Sequence, residues 1–303
     1  MKPTLALGTY RIAGEHLTDA ARRAASSPAA WIDTAPNYCY GRAHRLLAPA
    51  LAEYPALRVA TKVGYMDSAR ARVAEAAGVI DSRDAIARHS IGAAYVRWQT
   101  EDNRAALGRD CLDMLFLHNP ERTARPGELW AELRDAFTVL EEEADAGHIA
   151  AYGIATWTGF SEGAFSVSVL DRLAREAAGS DTHHLRAIQL PVSLVMAEAF
   201  DMALRGTGPI VQAGWQGWEV HASAPLHGGE LKALATPELA ELIQPGASIP
   251  AACITAVANC PGLSKVLMST GDPKHWAEAL TAVDEPVAAS ALRKTLDVLA
   301  TVE

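Results

Sequence analysis

The segment Met-Leu-Phe-Leu-His (Met114–His118) places four apolar residues directly before a histidine, which Asn119-Pro120 follows. Uninterrupted apolar runs of this length are typical of strands in parallel sheets, because helices cover both faces of such a sheet. A polar residue that ends the run then lies at the carboxyl edge of the sheet. The segment therefore predicts a buried parallel strand that presents His118 at this edge.

Seven other segments have the same form, so the chain contains eight predicted strands. They are Leu5–Gly8, Ala30–Asp33, Arg58–Lys62, Met114–His118, Ala151–Ala155, Ala187–Leu190, Glu219–Ala222 and Lys265–Met268. Amphipathic segments separate them, and the clearest is Pro126–Ala146, where leucines and a phenylalanine form one apolar stripe. The other predicted helices are Leu17–Ala25, Ala43–Ala52, Asp102–Gly108, Glu162–Ala178, Pro250–Ala258, Asp272–Ala282 and Val287–Leu299.

Strands that alternate with helices along a whole chain indicate βαβ units and a parallel sheet. Eight such units favour the α/β class and a closed (β/α)8 TIM barrel, and 303 residues suit one barrel. We therefore predict a single domain over residues 1–303. Two segments, Gly64–Arg97 and Pro191–Gly217, interrupt the alternation after the third and sixth strands. Because barrel sites are built from the loops after strands, we expect both to shape a substrate pocket.

Composition and charge exclude several classes of protein. The net charge of −9 argues against a nucleic acid as the main partner. The four cysteines form no CxxC pair and no histidine pair has metal-ligand spacing, so we expect neither a metal nor a disulfide framework. We expect neither a membrane span nor a signal peptide. The expectation is a cytoplasmic protein that takes a small molecule, and its oligomeric state stays open.

Polar residues end three of the predicted strands, namely Asp33, Lys62 and His118, and Tyr38 follows Asp33 by five residues. The carboxyl ends of barrel strands meet at one mouth, so these four side chains are expected to converge. A nearby ammonium favours a phenolate and lowers the pKa of a tyrosine, while a carboxylate holds the ammonium in place. The histidine would orient a substrate carbonyl or relay the proton. The four residues therefore predict proton transfer by Tyr38, with Tyr40 as the alternative acid.

Five motifs, in order along successive predicted strands, resemble those of the aldo-keto reductase family. They are LGTY (Leu7–Tyr10), DTAPNY (Asp33–Tyr38) followed by YG (Tyr40-Gly41), VATK (Val59–Lys62), DMLFLHNP (Asp113–Pro120) and GHIAAYGIAT (Gly147–Thr156). The resemblance covers nearly the whole chain and implies a barrel that binds an extended nicotinamide dinucleotide without a GxGxxG loop. It implies Tyr38 as general acid, Lys62 and Asp33 as its tuning pair, and His118 as the substrate-orienting residue. The second motif is similar to that of bacterial sugar-dehydrogenase-like members, which favours sugar, polyol or natural-product substrates.

The resemblance also implies contacts to the cofactor and the substrate. The implied cofactor contacts are Thr9, Tyr10, Asp33, Thr156, Gln189, Ser223, Leu226, Ser269, Thr270, Lys274 and His275, and the implied substrate contacts are Tyr38, His118 and Trp157. Ser223 stands where the family has an aromatic ring that stacks on the nicotinamide, and Trp215 or Trp218 are candidates to replace that ring. The loop after the eighth strand lacks the family's basic pattern but keeps Lys274. The expected cofactor is therefore NADP(H), by a modest preference, with NAD(H) as the alternative.

The expected function is NAD(P)(H)-dependent reduction of an aldehyde or ketone, or oxidation of the corresponding alcohol or lactol. Two alternatives stay open. The first is a barrel lyase or isomerase that uses the same four residues without net redox, which the departures at Ser223 and Ala279 favour. The second is a non-catalytic nucleotide-sensing subunit, which the intact set of four residues disfavours.

Overall fold

The computed structural model describes residues 2–28 and 30–300 and has eight parallel strands at its centre. Each strand pairs with the next, and the eighth pairs with the first, which closes the sheet into a barrel. The strands are β1 (Thr4–Gly8), β2 (Trp31–Asp33), β3 (Arg58–Val63), β4 (Met114–His118), β5 (Tyr152–Ala155), β6 (Leu185–Pro191), β7 (Glu219–Ser223) and β8 (Lys265–Met268). All eight predicted strands are present, and the predicted (β/α)8 TIM barrel is confirmed.

Helices surround the barrel and also fill both insertions. They are α1 (Gly14–Ala25), α2 (Tyr38–Gly41), α3 (Ala43–Glu53), α4 (Ser68–Ala76), α5 (Ser82–Ala87), α6 (Ala93–Leu107), α7 (Leu129–Asp145), α8 (Val167–Ala178), α9 (Glu198–Leu204), α10 (Gly208–Trp215), α11 (Leu231–Leu234), α12 (Pro237–Ile243), α13 (Ile249–Ala258), α14 (Pro273–Asp284) and α15 (Ala289–Ala300). Three 3-10 turns lie at Pro120–Arg122, Pro126–Glu128 and His227–Gly229. Over residues 2–28 and 30–300, no helix is both long enough and apolar enough to cross a membrane.

Helix α6 differs most from the prediction, which placed a short helix at Asp102–Gly108. The helix begins earlier, at Ala93. The prediction missed its first part because polar side chains on the buried face interrupt the apolar pattern. Tyr95 Oη donates a hydrogen bond to Gln99 Oε1 at 2.9 Å, and Gln99 Nε2 donates to Asn103 Oδ1 at 2.8 Å. These bonds between residues four apart satisfy polar groups that would otherwise be costly to bury.

Side chains along each strand alternate between the barrel interior and the surrounding helices, as the two-residue period requires. A separate inner cluster fills the interior with small and apolar side chains: Ala6, Trp31, Ala60, Met114, Phe116, Ala151, Ala155, Ala187 and Leu267. Two residues further along β2, β3 and β4, towards the carboxyl edge, the residues that face the interior are Asp33, Lys62 and His118. The period that builds the core therefore also brings these three side chains to one end of the barrel.

Gly153 in β5 tests how tightly the barrel interior is packed. A Cβ atom at this position would lie 2.5 Å from the main-chain oxygen of Ala187 and 2.6 Å from the Phe116 ring. We expect Gly153→Ala to lower the free energy of unfolding by about 1–3 kcal/mol, because the main chain of β6 cannot move aside cheaply. Urea denaturation followed by circular dichroism measures the change.

Gly127→Ala is the matched control for this prediction, since a Cβ there meets nothing within 4 Å. It should change the free energy of unfolding by less than about 0.5 kcal/mol. Equal stabilities of the two variants would contradict the tight packing at Gly153.

Candidate active site

A buried ion pair joins β2 and β3 at the carboxyl edge of the barrel. Lys62 Nζ donates to Asp33 Oδ1 at 2.6 Å and to the main-chain oxygen of Thr34 at 2.9 Å. Gln189 Nε2 donates to the second carboxylate oxygen, Asp33 Oδ2, at 2.7 Å. The side chains of the pair are 1% and 5% exposed. The structure thus brings the predicted lysine and aspartate together, and each carboxylate oxygen has a donor.

The main chain around this ion pair is fixed by neighbouring elements. Asn103 Nδ2, at the end of the polar chain on α6, donates to the main-chain oxygen of Lys62 at 3.0 Å. Thr9 Oγ1 donates to the main-chain oxygen of Asp33 at 3.0 Å. The role of Asn103 was missed from the sequence, although its spacing of four residues from Gln99 is a signal for a chain of this kind. These bonds hold the carboxyl ends of β2 and β3 in place.

Tyr38 is held by a tight turn and a left-handed stretch of backbone. The segment Ala35–Tyr38 is closed by a 3.1 Å hydrogen bond between its ends, with Pro36 at the position that its fixed φ suits. Cys39 and Tyr40 follow with φ values of 50° and 56°. A left-handed conformation costs non-glycine residues roughly 1–2 kcal/mol each. The turn separates a half-buried Tyr38 from Tyr40, which is 93% exposed.

The phenol of Tyr38 has a raised pKa, and the expectation that Lys62 lowers it was wrong. Burial raises this pKa well above its usual value, and the negative charge of Asp33 adds to the effect. Lys62 Nζ lies 5.3 Å from the centroid of the Tyr38 ring, whereas it lies only 2.6 Å from Asp33. The closer carboxylate therefore offsets the positive charge of Lys62, and that charge does not lower the pKa of the phenol. Tyr38 stays protonated at neutral pH, which suits a proton donor.

His118 ends β4 with its ring edge-on to two tyrosines. Its centroid lies 6.3 Å from that of Tyr38 and 4.9 Å from that of Tyr65. Burial lowers the pKa of His118 well below its usual value, and the nearby Lys62 and His89 lower it further. The imidazole is therefore neutral near pH 7, and it can donate a hydrogen bond to a substrate without carrying a charge.

Tyr65 and His89 belong to this site and were missed from the sequence. Tyr65 lies two residues beyond β3, and Asn119 Nδ2 donates to its hydroxyl oxygen at 3.3 Å. Its position just after a strand is a signal that could have been used. His89 comes from the insertion after β3 and donates from Nε2 to the main-chain oxygen of His118 at 2.7 Å. No local pattern indicates it, because its position depends on the path of the whole insertion.

Comparison with protein families decides the family of this chain. The model described as the aldo/keto reductase family matches residues 4–239. The chain belongs to the aldo/keto reductase family. A comparison with curated protein sequences found no match. At the level of the family, the prediction of an NAD(P)H-dependent aldo-keto reductase is confirmed.

Solved aldo-keto reductase structures share the fold. One from Klebsiella pneumoniae, in complex with NADP and acetate, has a TM-score of 0.70 and 17% identity, over 98% of this chain and 91% of that chain. A glycerol dehydrogenase from Gluconobacter oxydans has a TM-score of 0.69 and 20% identity, over 98% and 91%. An aldo-keto reductase from Bacillus halodurans, in its holo form, has a TM-score of 0.68 and 17% identity, over 97% and 91%. At these identities the likeness establishes the fold.

Several of the expected cofactor contacts of this aldo-keto reductase are engaged within the protein, and Thr156 and Gln189 are among them. The Thr156 hydroxyl donates to Glu121 Oε1 at 2.8 Å, and the same oxygen accepts from the main-chain nitrogen of Trp157 at 3.0 Å. Gln189 donates to Asp33, as described above. The donors that the family resemblance assigns to the nicotinamide end are therefore partly used by carboxylates of the chain itself.

The remaining predicted contacts come after β1, β5 and β8 or at and after the end of β7: Thr9, Tyr10, Trp157, Ser223, Leu226, Ser269, Thr270, Lys274 and His275. The Tyr10 ring is 50% exposed and lies 5.2 Å from the Tyr38 ring, and Trp157 is 38% exposed. Thr9 and Thr270 are buried, so their side chains face the protein. Within residues 2–28 and 30–300, no group of three or more His, Cys, Asp and Glu side chains could hold a metal ion.

The first turn of α14 offers a phosphate two exposed side chains, Lys274 and His275. Asp272 caps this helix, since its Oδ1 accepts from the main-chain nitrogen of Lys274 at 2.7 Å. The carboxylate therefore already interacts with the positive end of the helix. The donor set fits a phosphate group, but a negative charge lies beside it.

The two tryptophans considered as replacements for the stacking ring lie elsewhere, so that interpretation was wrong. Trp218 is buried directly before β7, next to the His183 ring at 6.4 Å. Trp215 ends α10 and is 75% exposed. Both tryptophans precede the amino end of β7, whereas Ser223 lies at its carboxyl end. The length of β7, roughly 13 Å, therefore separates both tryptophans from Ser223.

The pH dependence of turnover tests the protonation states of the site. Because the pKa of His118 is lowered and that of Tyr38 is raised, neither group changes its charge near neutrality. We expect kcat/KM for carbonyl reduction to stay flat between about pH 6 and pH 9. His118→Gln, which cannot titrate, should be slower with the same flat profile. An acid limb in the wild type that disappears in His118→Gln would contradict the neutral imidazole.

Proposed function

We propose that the protein reduces the carbonyl group of a small aldehyde or ketone, with NADP(H) as the preferred cofactor and Tyr38 as the general acid. One observation carries the proposal: the Tyr38 phenol, the His118 imidazole and the buried Lys62–Asp33 pair meet at one barrel mouth. The phenol can give a proton and the imidazole can orient an oxygen atom. The ion pair holds the Lys62 ammonium near the Tyr38 ring, and the raised pKa of the phenol keeps it protonated until the transfer.

Tyr38 and His118 would bind the carbonyl oxygen between them. The neutral His118 donates a hydrogen bond that orients the carbonyl group, and Tyr38 transfers its proton to the oxygen as the carbonyl becomes an alcohol. The Lys62 ammonium lies 5.3 Å from the centroid of the ring on which the negative charge then forms. Burial lowers the pKa of Lys62, and Asp33 opposes this effect. Asp33 therefore keeps the ammonium charged and in position.

A bound NAD(P)H supplies the hydride that the carbonyl carbon receives. Gln189 and Thr156 would hold its carboxamide end, although Asp33 and Glu121 compete for their donors. Ser223 and Leu226 would line the dinucleotide, and the exposed Lys274 and His275 would bind a 2′-phosphate. A lysine and a histidine replace the bidentate arginine that recognises phosphate most strongly, so the preference for NADPH is modest.

A sugar, a polyol or a related polar carbonyl compound is the proposed substrate class. Tyr10 and Trp157 present exposed rings at the mouth. Such rings combine an apolar face with a polar edge, which suits a molecule with both C–H and hydroxyl groups. The reverse reaction, oxidation of the corresponding alcohol or lactol, uses the same residues.

A lyase or isomerase without net redox is the second candidate. Two observations favour it: the carboxamide donors are engaged with Asp33 and Glu121, and Ser223 provides no stacking ring. The same acid–base residues would then move protons on a carbonyl compound. Quenching of tryptophan fluorescence by NADPH and by NADH separates the two candidates, since only the reductase requires a nicotinamide cofactor.

Tyr38→Phe tests the general acid. It removes the proton donor but keeps the ring, so kcat should fall about a thousandfold, while the Kd for NADPH stays within a factor of about two. Steady-state kinetics and fluorescence titration give the two values. Tyr40→Phe is the matched control and should retain normal kcat, because its side chain is 93% exposed. Normal kcat in Tyr38→Phe together with a large fall in Tyr40→Phe would identify Tyr40 as the general acid instead.

Lys274→Ala tests the cofactor preference. We expect the wild type to bind NADPH about tenfold more tightly than NADH, which corresponds to about 1.4 kcal/mol. The variant should lose most of this difference by weaker binding of NADPH alone, as measured by fluorescence titration. Lys294→Ala, an exposed lysine on α15, should leave both Kd values unchanged. Equal Kd values for the two cofactors in the wild type would contradict the preference.

A further inference from the structure

The main-chain oxygen of His118 lies where its neighbouring strand has already ended. β3 pairs with β4 as far as Val63, which stands opposite Leu117. The next residue, Gly64, leaves the ladder with a φ of +152°. The His118 oxygen therefore has no strand partner on this side, and the His89 ring fills the gap with the 2.7 Å hydrogen bond from Nε2.

The insertion after β3 returns to the barrel at this point. The main-chain nitrogen of Ser90 donates to the oxygen of Gly64 at 3.1 Å, and that of Met66 donates to the oxygen of Arg88 at 3.0 Å. These two bonds place His89 beside the end of β4. Its ring is 1% exposed and lies 4.7 Å from the Tyr65 ring.

Side chains fix this return segment to the loop after β4. Ser90 Oγ donates to Asp84 Oδ2 at 2.9 Å, and Arg125 Nη1 donates to Asp84 Oδ1 at 2.6 Å. Asp84 is buried, so it needs both partners. Gly64 permits the close approach, since a Cβ there would lie 2.7 Å from the His118 oxygen and 3.0 Å from His89 Nε2. Three segments therefore meet around the His89 ring.

Packing alone does not account for a histidine at this position. A carbonyl oxygen only accepts hydrogen bonds, so His89 Nε2 carries the proton and Nδ1 is a bare lone pair. Among the described residues, this buried Nδ1 has no hydrogen-bond partner. An unpaired buried polar atom costs about 1–3 kcal/mol, which an apolar side chain would avoid. An apolar side chain could not donate the hydrogen bond that His89 Nε2 gives to the main-chain oxygen of His118. This bond therefore accounts for a histidine at position 89.

We propose that His89 is a positioning residue for His118. It fixes the last carbonyl group of β4 and, together with Tyr65, the direction in which the His118 ring meets the substrate. The inference rests on the proposed function, in which His118 orients the carbonyl group. Without the bond, the end of β4 is free to shift, and a misplacement of about 1 Å can slow a reaction substantially.

A pair of variants separates the hydrogen bond from the bulk of the ring. His89→Gln keeps a side-chain donor, and His89→Leu removes it. We expect kcat to fall about tenfold in His89→Leu and to stay within about twofold of the wild type in His89→Gln, because a misplaced orienting group lowers the rate of the chemical step. The Kd for NADPH should be unchanged in both. If leucine prevents folding, His89→Met takes its place, since methionine adapts to irregular space.

His183→Leu is the matched control. His183 is also buried, but it lies before the amino end of β6, where it pairs with Asp171 at 3.1 Å. This variant should lower the melting temperature without lowering kcat of the folded protein. A fall in kcat equal to that of His89→Leu would overturn the proposal, as would a His89→Gln variant as slow as His89→Leu.

A second readout does not need turnover. The ring-proton resonance of His118, assigned with His118→Gln, should shift or broaden in His89→Leu and keep its wild-type position in His89→Gln. An unchanged resonance in His89→Leu overturns the positioning role. If the wild type reduces no carbonyl compound, the proposed function is overturned. The His118 resonance then tests the positioning role of His89 without any measurement of turnover.

Discussion

The buried ion pair between Asp33 and Lys62 is the interaction on which the site depends. Removing two charges from water is expensive, and their attraction repays that cost only where further hydrogen bonds satisfy the remaining polar atoms. Gln189 and the main-chain oxygen of Thr34 provide those bonds. Loss of one partner from such a pair costs about 3–5 kcal/mol, because the other charge is left buried alone. The carboxyl edge of the barrel is therefore built to hold both charges at fixed positions.

The ion pair also determines the protonation states around it. Burial raises the pKa of the Tyr38 phenol, and the negative end of the pair, Asp33, raises it further. The positive end of the pair and the burial of the ring keep His118 neutral. The site thus combines two uncharged proton-bearing groups, Tyr38 and His118, with an ion pair whose net charge is zero. A negative charge formed on Tyr38 by proton transfer would then be attracted by the ammonium and repelled by the carboxylate of the pair.

The sequence predicts the parts of this arrangement that follow from periodicity. Met114–His118 and the other apolar runs predict the strands, and the two-residue period places Asp33, Lys62 and His118 at one edge. The raised pKa of Tyr38 could not be predicted, because it depends first on the burial of the phenol and then on the nearby charge of Asp33. Nor could the buried face of α6 be predicted, because polar side chains occupy it.

His89 shows a different limit of prediction from sequence. It is 29 residues away from His118 and lies in the helical insertion of irregular path that follows β3. No propensity or spacing rule fixes where such an insertion returns. The bonds that bring it back, from Ser90 to Gly64 and from Arg125 to Asp84, depend on three-dimensional packing that the local sequence does not encode.

The opposite end of the barrel shows why burial, more than charge, marks the carboxyl edge as the chemical one. At the amino edge, Lys265 donates to Glu219, and His221 lies 2.8 Å from the same carboxylate. The hydrogen bond from His221, together with that from Lys265, lowers the pKa of Glu219 to about 2. The Glu219 side chain is 41% exposed although that of Lys265 is only 7% exposed, so solvent reaches the carboxylate of this cluster, whereas both side chains of the Asp33–Lys62 pair are buried.

The apolar middle layer, which includes Ala60 and Phe116, separates this cluster from Asp33 and Lys62. The same alternation of side chains therefore gives the barrel a charged cluster at each end. The carboxyl edge combines an ion pair that is buried on both sides with the long insertions that follow β3 and β6. A low local dielectric strengthens the interaction between a fixed charge and a charge that develops during a reaction. The cluster at the amino edge can stabilise the barrel, whereas the buried pair at the carboxyl edge lies beside Tyr38, where the charge of Asp33 helps to keep the phenol protonated.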